Sequence, residues 1–160
     1  MSAVVIGFIG RHDLKIDDKG RLTIPSRFKS VLKEKYAGDG MQVVVFVNYD
    51  KNLSVLPLSE YAREAEKLEN YNVLDEESRR LQEIFTGLAS VEKVDSSGRI
   101  RLSPDLRDTA GIGREVTCIG RNRHFDVWDR ERWDATQAQS LGDLKRLAEQ
   151  VRMKNRPDRG

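Results

Sequence analysis

Residues Asp17–Phe28 read DDKGRLTIPSRF. They pack an acidic turn, a glycine, an arginine and a proline-ended apolar alternation into twelve positions. Asp-x-x-Gly-Arg is a turn signature: glycine tolerates positive φ, and the aspartate can accept bonds from nearby backbone amides. The alternation that follows is that of a strand with one buried face. Taken alone, the stretch is either an ordinary hairpin or a surface built to hold an anion.

A second copy lies further along. IDDKGRLTIP, from Ile16, recurs as VDSSGRIRLSP, from Val94. Asp17 matches Asp95, Gly20 matches Gly98, Arg21 matches Arg99, Leu22 matches Ile100 and Ile24 matches Leu102, all 78 positions apart. Downstream, VVVFVNYDKNLSVLP at Val43 is matched without a gap to EVTCIGRNRHFDVWD at Glu115, 72 positions apart, with Leu53 and Val55 against Phe125 and Val127 and Tyr61 against Trp133. Repetition of this kind marks a duplicated unit. Each unit of about 45 residues predicts a turn, a strand, a short helix and a hairpin, too little to close a core alone.

Ser26 and Ser103 are read as helix N-caps, before apolar spacings at Phe28, Val31 and Leu32 and at Leu106, Thr109 and Ala110. The hairpins are predicted over NYDKN and GRNRH. Between the units, Ser59 and Asp75 are read as caps of two helices, the second with Leu81, Ile84, Phe85 and Leu88 at helical spacing. Leu141, Leu144, Leu147 or Ala148, and Val151 predict an amphipathic C-terminal helix. Such stripes are packing surfaces by default.

Composition narrows the chemistry. The 160 residues are 38% hydrophobic and 34% charged, without an apolar run long enough to span a membrane, and MSAVVIGFIGRHD lacks the charged start and long apolar centre of a signal peptide. The chain thus reads as a soluble, intracellular protein. Cys118 is the sole cysteine and is read as a small buried hydrophobe; with two histidines it cannot furnish a zinc site unaided. No cofactor is called for. Glycine-rich phosphate loops, a nucleophile elbow and a histidine beside a candidate nucleophile are all missing, which argues against an enzyme.

Net charge is only +2, but it is unevenly spread. Phe8–Tyr36 holds eight basic residues against four acidic, Pro57–Leu88 four against eight, Ala89–Arg132 nine against eight, and Trp133–Gly160 six against four. An arginine leaving a tight turn has its stem fixed by the strand, so its guanidinium can reach a phosphate or a guanine edge with little entropy left to lose. The competing reading of Arg21 is a salt bridge to Asp17 or Asp18 that only fixes the turn. For Arg99 and Arg101, in the nearly balanced second unit, a structural role is favoured, and Arg99→Ala is predicted to disturb assembly or solubility more than any anion contact.

Two Asp-x-x-Gly-Arg copies, the FIG at Phe8, the GRLTIPSRF strand and turn, and the LPLSEY entry to the central helices together resemble the MraZ family of bacterial transcription regulators, over roughly Phe8 to Trp133. The resemblance implies an α+β, mainly β fold of two swapped-hairpin half-barrels like those of AbrB and SpoVT regulators, in pseudo-two-fold relation with a helical segment between them. It implies a first DNA-binding unit at 11–60, a helical connector at 61–88, a second unit at 89–132, and a helix with a basic tail at 133–160. Arg21 would read DNA. Arg11, Lys15, Lys19, Arg27 and Lys29 would position its backbone, and Asp17, Gly20, Asp95, Gly98 and Arg99 would hold the motif. The implied partners are promoter direct repeats in double-stranded DNA and further copies of the chain in a homo-oligomeric ring, an octamer or dodecamer, in the cytoplasm at the nucleoid. The implied target is the division and cell wall gene cluster, including the protein's own gene, usually under repression. Two alternatives remain: an oligomeric scaffold that does not read DNA, and an antitoxin-type DNA binder. The antitoxin reading fits poorly, because antitoxins of this fold usually carry one barrel half and a disordered tail.

Overall fold

The computed structural model describes residues 6–157, so the first residues of the MSAVVIGFIGRHD stretch and the last three of the basic tail lie outside the described residues. Alternating segments and turn residues give the same run of elements twice. The first run is β1 (Arg11–Lys15), β2 (Arg21–Thr23), α1 (Ser26–Lys35), a short 3-10 turn at Ala37–Asp39, β3 (Gln42–Val47), β4 (Leu53–Pro57) and α2 (Leu58–Glu69). After α3 (Glu76–Gly87) come β5 (Ser90–Lys93), β6 (Arg99–Arg101), α4 (Pro104–Thr109), β7 (Glu115–Gly120), β8 (Phe125–Asp129) and α5 (Arg130–Gly142), and α6 (Leu144–Lys154) ends the described chain. The chain divides into two compact parts, one ending at Asp129 and the other beginning at Arg130 and holding α5 and α6. No helix among the described residues is long and apolar enough to cross a membrane.

Pairing crosses the repeat boundary. A six-stranded antiparallel sheet runs β1-β7-β8-β4-β3-β5, and β2 pairs with β6 in a separate two-stranded ribbon. β1 thus lies against β7 of the second repeat, from Arg11↔Ile119 to Lys15↔Glu115, while β5 lies against β3 of the first, from Ser90↔Val45 to Lys93↔Gln42. In the ribbon, Arg21 faces Arg101, Leu22 faces Ile100 and Thr23 faces Arg99. In the sheet, Leu53 faces Val127, Ser54 faces Asp126 and Val55 faces Phe125. Both sets are symmetric about their central pair, so a pseudo-two-fold axis relates the repeats through Leu22↔Ile100 and Ser54↔Asp126. Neither repeat completes its own sheet, which is the swapped-hairpin arrangement of two half-barrels.

The registers correct the gapless downstream match. Val43 pairs with Pro57 where Val116 pairs with Asp129, so β4 and β8 are 72 positions apart but β3 and β7 are 73. Val43 corresponds to Val116, not Glu115, and Val45 to Cys118. The extra residue sits in the hairpin loop, five residues from Asn48 to Asn52 against four from Arg121 to His124. The wider loop is held by Asn48, whose Oδ1 accepts from the N–H groups of Asp50 and Asn52. A one-residue slip would have turned the strand over. The true match keeps Val43, Val45, Val116 and Cys118 all in the core.

That core joins both repeats. Phe8, Phe28 and Phe125 are fully buried and meet pairwise, with ring centroids 5.0 to 5.5 Å apart. Phe8 is fixed by backbone bonds in both directions with Asn122. Leu22, Ile100, Leu102, Val55 and Val127 complete the interior. On the opposite face of β3, Phe46 packs on Phe85 of α3 at 4.7 Å and on Tyr61 of α2 at 5.8 Å. Cys118 is buried as read from the sequence, and desolvation pushes its thiol up to about 12.

Caps divide. Ser103 caps α4 by accepting from Leu106 N–H, and Asp75 caps α3 by accepting from Ser78 N–H. Ser26 and Ser59 do not cap. Both follow a proline that takes the flanking position with φ near −50°, which puts each serine inside the first turn. Ser59 instead gives its N–H and Oγ–H to Asp39 Oδ2, so an aspartate distant in sequence serves the start of α2.

Candidate nucleic-acid interface

Each Asp-x-x-Gly-Arg turn is closed by its own aspartate. Asp17 Oδ1 accepts from the N–H groups of Lys19 and Arg21, both at 2.9 Å, and Oδ2 accepts from Arg21 Nε at 2.7 Å. Asp95 repeats this with Ser97 N–H, Arg99 N–H and Arg99 Nε, the last at 3.1 Å. The glycines provide the left-handed corner, Gly20 at φ 74° and Gly98 at φ 77°. The salt bridge considered for Arg21 therefore forms, and with Asp17. Asp18 lies 3.9 Å from Arg114 instead.

This bridge does not exhaust the arginine. It engages Nε and leaves the two Nη groups of Arg21 without a hydrogen bond among the described residues. A guanidinium clamped through Nε keeps a free fork of donors, suited to a planar acceptor pair.

Both carboxylates sit below the usual aspartate range, chiefly because the N–H of Arg21, or of Arg99, donates to the charged form; the guanidinium bond adds to this. A carboxyl depressed by folding stabilises the folded state above its unfolded pKa, and that contribution fades as pH falls through the lower folded value. Asp17→Asn and Asp95→Asn are therefore expected to melt earlier than the parent at neutral pH. The gap should close below about pH 4, as thermal melts across pH would show.

Strand pairing brings the two turns onto one element. Leu22 and Ile100 are buried, so the alternate positions, Arg21, Thr23, Arg99 and Arg101, share the opposite face of the ribbon. Arg21 and Arg99, given different roles by local charge balance, lie on one face.

The helices add a second pair of cations, crossed between the repeats. Lys29 of α1 lies over the second turn, where a Cβ on Gly98 would stand 2.9 Å from its Nζ. Its symmetry mate Arg107, on α4, lies over the first turn, where a Cβ on Gly20 would stand 3.0 Å from Nη2. Arg107 also donates from Nε to the Leu102 carbonyl. Each glycine thus opens room for a basic side chain from the other repeat.

The remaining sequence-derived candidates scatter. Lys19 is exposed in the first turn, and Arg27 is exposed in the first turn of α1, a helix start with neither a side-chain cap nor an acidic residue. Lys15 lies on β1 opposite Glu115 in register. Arg11, at the far end of β1, bonds Asp13 from Nε at 2.9 Å. Arg101 and Arg107 were absent from the sequence-derived DNA-contact set. For Arg107 the signal was present: the 78-residue spacing that pairs the turns also pairs it with Lys29.

Two strand-exchanging repeats that present a pair of Asp-clamped arginines on one ribbon define a duplicated swapped-hairpin protein of the AbrB-like class. Comparison with known proteins specifies it further. The family model described as "MraZ protein, putative antitoxin-like" matches residues 8–84 and again 84–156. A protein of Neisseria meningitidis serogroup C named "Transcriptional regulator MraZ" is 36% identical over 137 residues, covering 85% of this chain and 89% of the relative. Proteins of the same name from Parafrankia sp. and Thermomicrobium roseum are 33% and 36% identical, covering 90% and 84% of this chain and 96% and 89% of their own lengths. The chain belongs to the MraZ family.

Proposed function

We propose that this protein is a sequence-specific DNA-binding transcriptional regulator, acting as a repressor of the division and cell wall gene cluster that includes its own gene. The observation that carries the reading is the β2–β6 ribbon, whose outer face holds Arg21, Arg99 and Arg101 with Lys29 and Arg107 at its two turns. A two-stranded ribbon fits the major groove, where arginine forks match guanine O6 and N7. The names of the relatives support the same reading. In it, residues 11–60 and 89–132 build the ribbon jointly, 61–88 connect them, and 133–160 add a helix and a basic tail. The protein works without catalysis, in the cytoplasm at the nucleoid, as a closed ring of eight or twelve copies on promoter direct repeats. One small basic patch binds weakly, and repetition around a ring supplies avidity.

Gel shifts on the fragment upstream of the protein's own coding sequence, with sedimentation of the same preparation, provide the test. Expected are a closed homo-oligomer and a shift that weakens steeply as salt rises. A monomer at micromolar concentration overturns the ring. A ring that shifts this fragment no better than unrelated DNA at any salt overturns the regulator in favour of a scaffold.

A further inference from the structure

The pseudo-two-fold axis through Leu22↔Ile100 exchanges Arg21 with Arg99 and Thr23 with Arg101. The first exchange preserves the side chain and the second does not. Of four outward positions on the ribbon, three are arginine and Thr23 alone departs. One end of the ribbon therefore carries Arg21 and Arg101 as cross-strand neighbours, and the other carries Arg99 beside Thr23.

The Arg21–Arg101 pairing is unfavourable for the isolated fold. Directly opposed Cβ atoms in an antiparallel pair lie about 4.5–5.5 Å apart, and like charges there destabilise the ribbon. Arg101 is exposed and has no hydrogen bond or ion pair among the described residues, while the carboxylate beside Arg21 already holds its Nε. Two neighbouring guanidinium forks without an internal acceptor are open to an external one. In a major groove, two neighbouring forks match two neighbouring guanine edges, whereas threonine offers one hydroxyl and a methyl group that suits the thymine C5-methyl.

We infer that Thr23 and Arg101 set the direction in which one chain reads duplex DNA: the Arg21–Arg101 end takes a guanine-rich step, the Arg99–Thr23 end does not, and each chain recognises a non-palindromic element despite its internal symmetry. This rests on the DNA-reading function proposed above and names the residues that give it polarity.

The test is selection of short duplexes carrying about ten randomised base pairs, one helical turn, at fixed salt, by the parent, Thr23→Arg and Arg101→Thr. The parent should select a non-palindromic sequence with guanines concentrated in one half. Thr23→Arg, which restores the symmetry, should select guanines in both halves. Arg101→Thr should lose the guanine-rich half and bind the parent's selected duplex about 5- to 150-fold more weakly. Thr23→Arg adds a second opposed arginine pair, so if it melts early Arg101→Thr decides alone. A palindromic parental consensus, or an unchanged consensus from Arg101→Thr, overturns the inference while leaving DNA reading intact. Failure of the parent to enrich any sequence overturns the inference, and DNA reading falls with it only if the same preparation also fails the promoter gel shift.

Discussion

Arg21→Ala is expected to abolish specific DNA binding and leave the oligomer whole. A bidentate arginine–guanine contact contributes about 1–3 kcal/mol of discrimination, roughly 5- to 150-fold per chain. In a ring that engages several sites at once, the loss compounds from copy to copy. The turn should survive, because Asp17 Oδ1 keeps the N–H groups of Lys19 and residue 21, which do not depend on the side chain. The lost ion pair is about one-third exposed on both sides and screened by solvent, so its removal should cost little stability. Gel shifts and sedimentation on one preparation read both outcomes, and unchanged promoter affinity would show that another surface reads the DNA. Arg99→Ala is the informative companion. Local charge predicts an assembly defect for it, but its place on the ribbon face predicts weakened binding with assembly intact.

Phe28→Ala is expected to be the most damaging single truncation. The ring is 1% exposed and meets Phe8 at 5.3 Å, Phe125 at 5.0 Å and His12 at 4.9 Å. It therefore joins the N-terminal segment, α1, β1 and the second repeat's β8. Such a truncation costs about 3–5 kcal/mol, the spread reflecting how far the site collapses. Because neighbours in this cluster come from both repeats and from a segment outside them, collapse would require several elements to move together. Melting should fall by about 10 °C for a chain of this size, in one transition covering the part that ends at Asp129. A loss below about 1 kcal/mol by urea titration would mean the aromatic cluster does not hold the repeats together.

The fold was readable where symmetry made local signals redundant. Either turn alone was ambiguous, but two copies 78 positions apart established a duplicated unit, and Gly20 and Gly98 do adopt the predicted left-handed corner. Strand exchange could not be derived from the residues, since alternation shows that β1 has a buried face without naming its neighbour; it came from the family resemblance. The hairpin offset was misread because consecutive valines in β3 satisfy either register, and only the ladder to β4 places the extra residue in the loop. The caps at Ser26 and Ser59 were misplaced by one or two positions, because a proline can start a helix as readily as a serine can cap one.

The site was half legible. Sequence identified Arg21, Asp17 and Gly20 by turn chemistry, but weighed the two units separately by charge, and a charge count along the chain cannot register that β2 and β6 are neighbours. Arg101 escaped for that reason. Arg11 shows the converse limit of such a count: it belongs to a basic stretch of sequence, and in space it is bound to Asp13 at the far end of an edge strand.

The exchange of β1 also governs how the chain must emerge from a ribosome. Asp13 finds its partner in Thr117, more than a hundred residues later, and a side-chain bond from Thr117 Oγ1 to Asp13 Oδ1 seals the same contact. At translation rates of about 5–20 residues per second, the N-terminal strand waits on the order of 5 to 20 seconds for it. Throughout that interval β1 can be captured by the late strand of a neighbouring nascent chain on the same message. Copies made side by side are thus exposed to trading strands between chains before each has closed on itself, and slower decoding between residues 90 and 120 would lengthen that window.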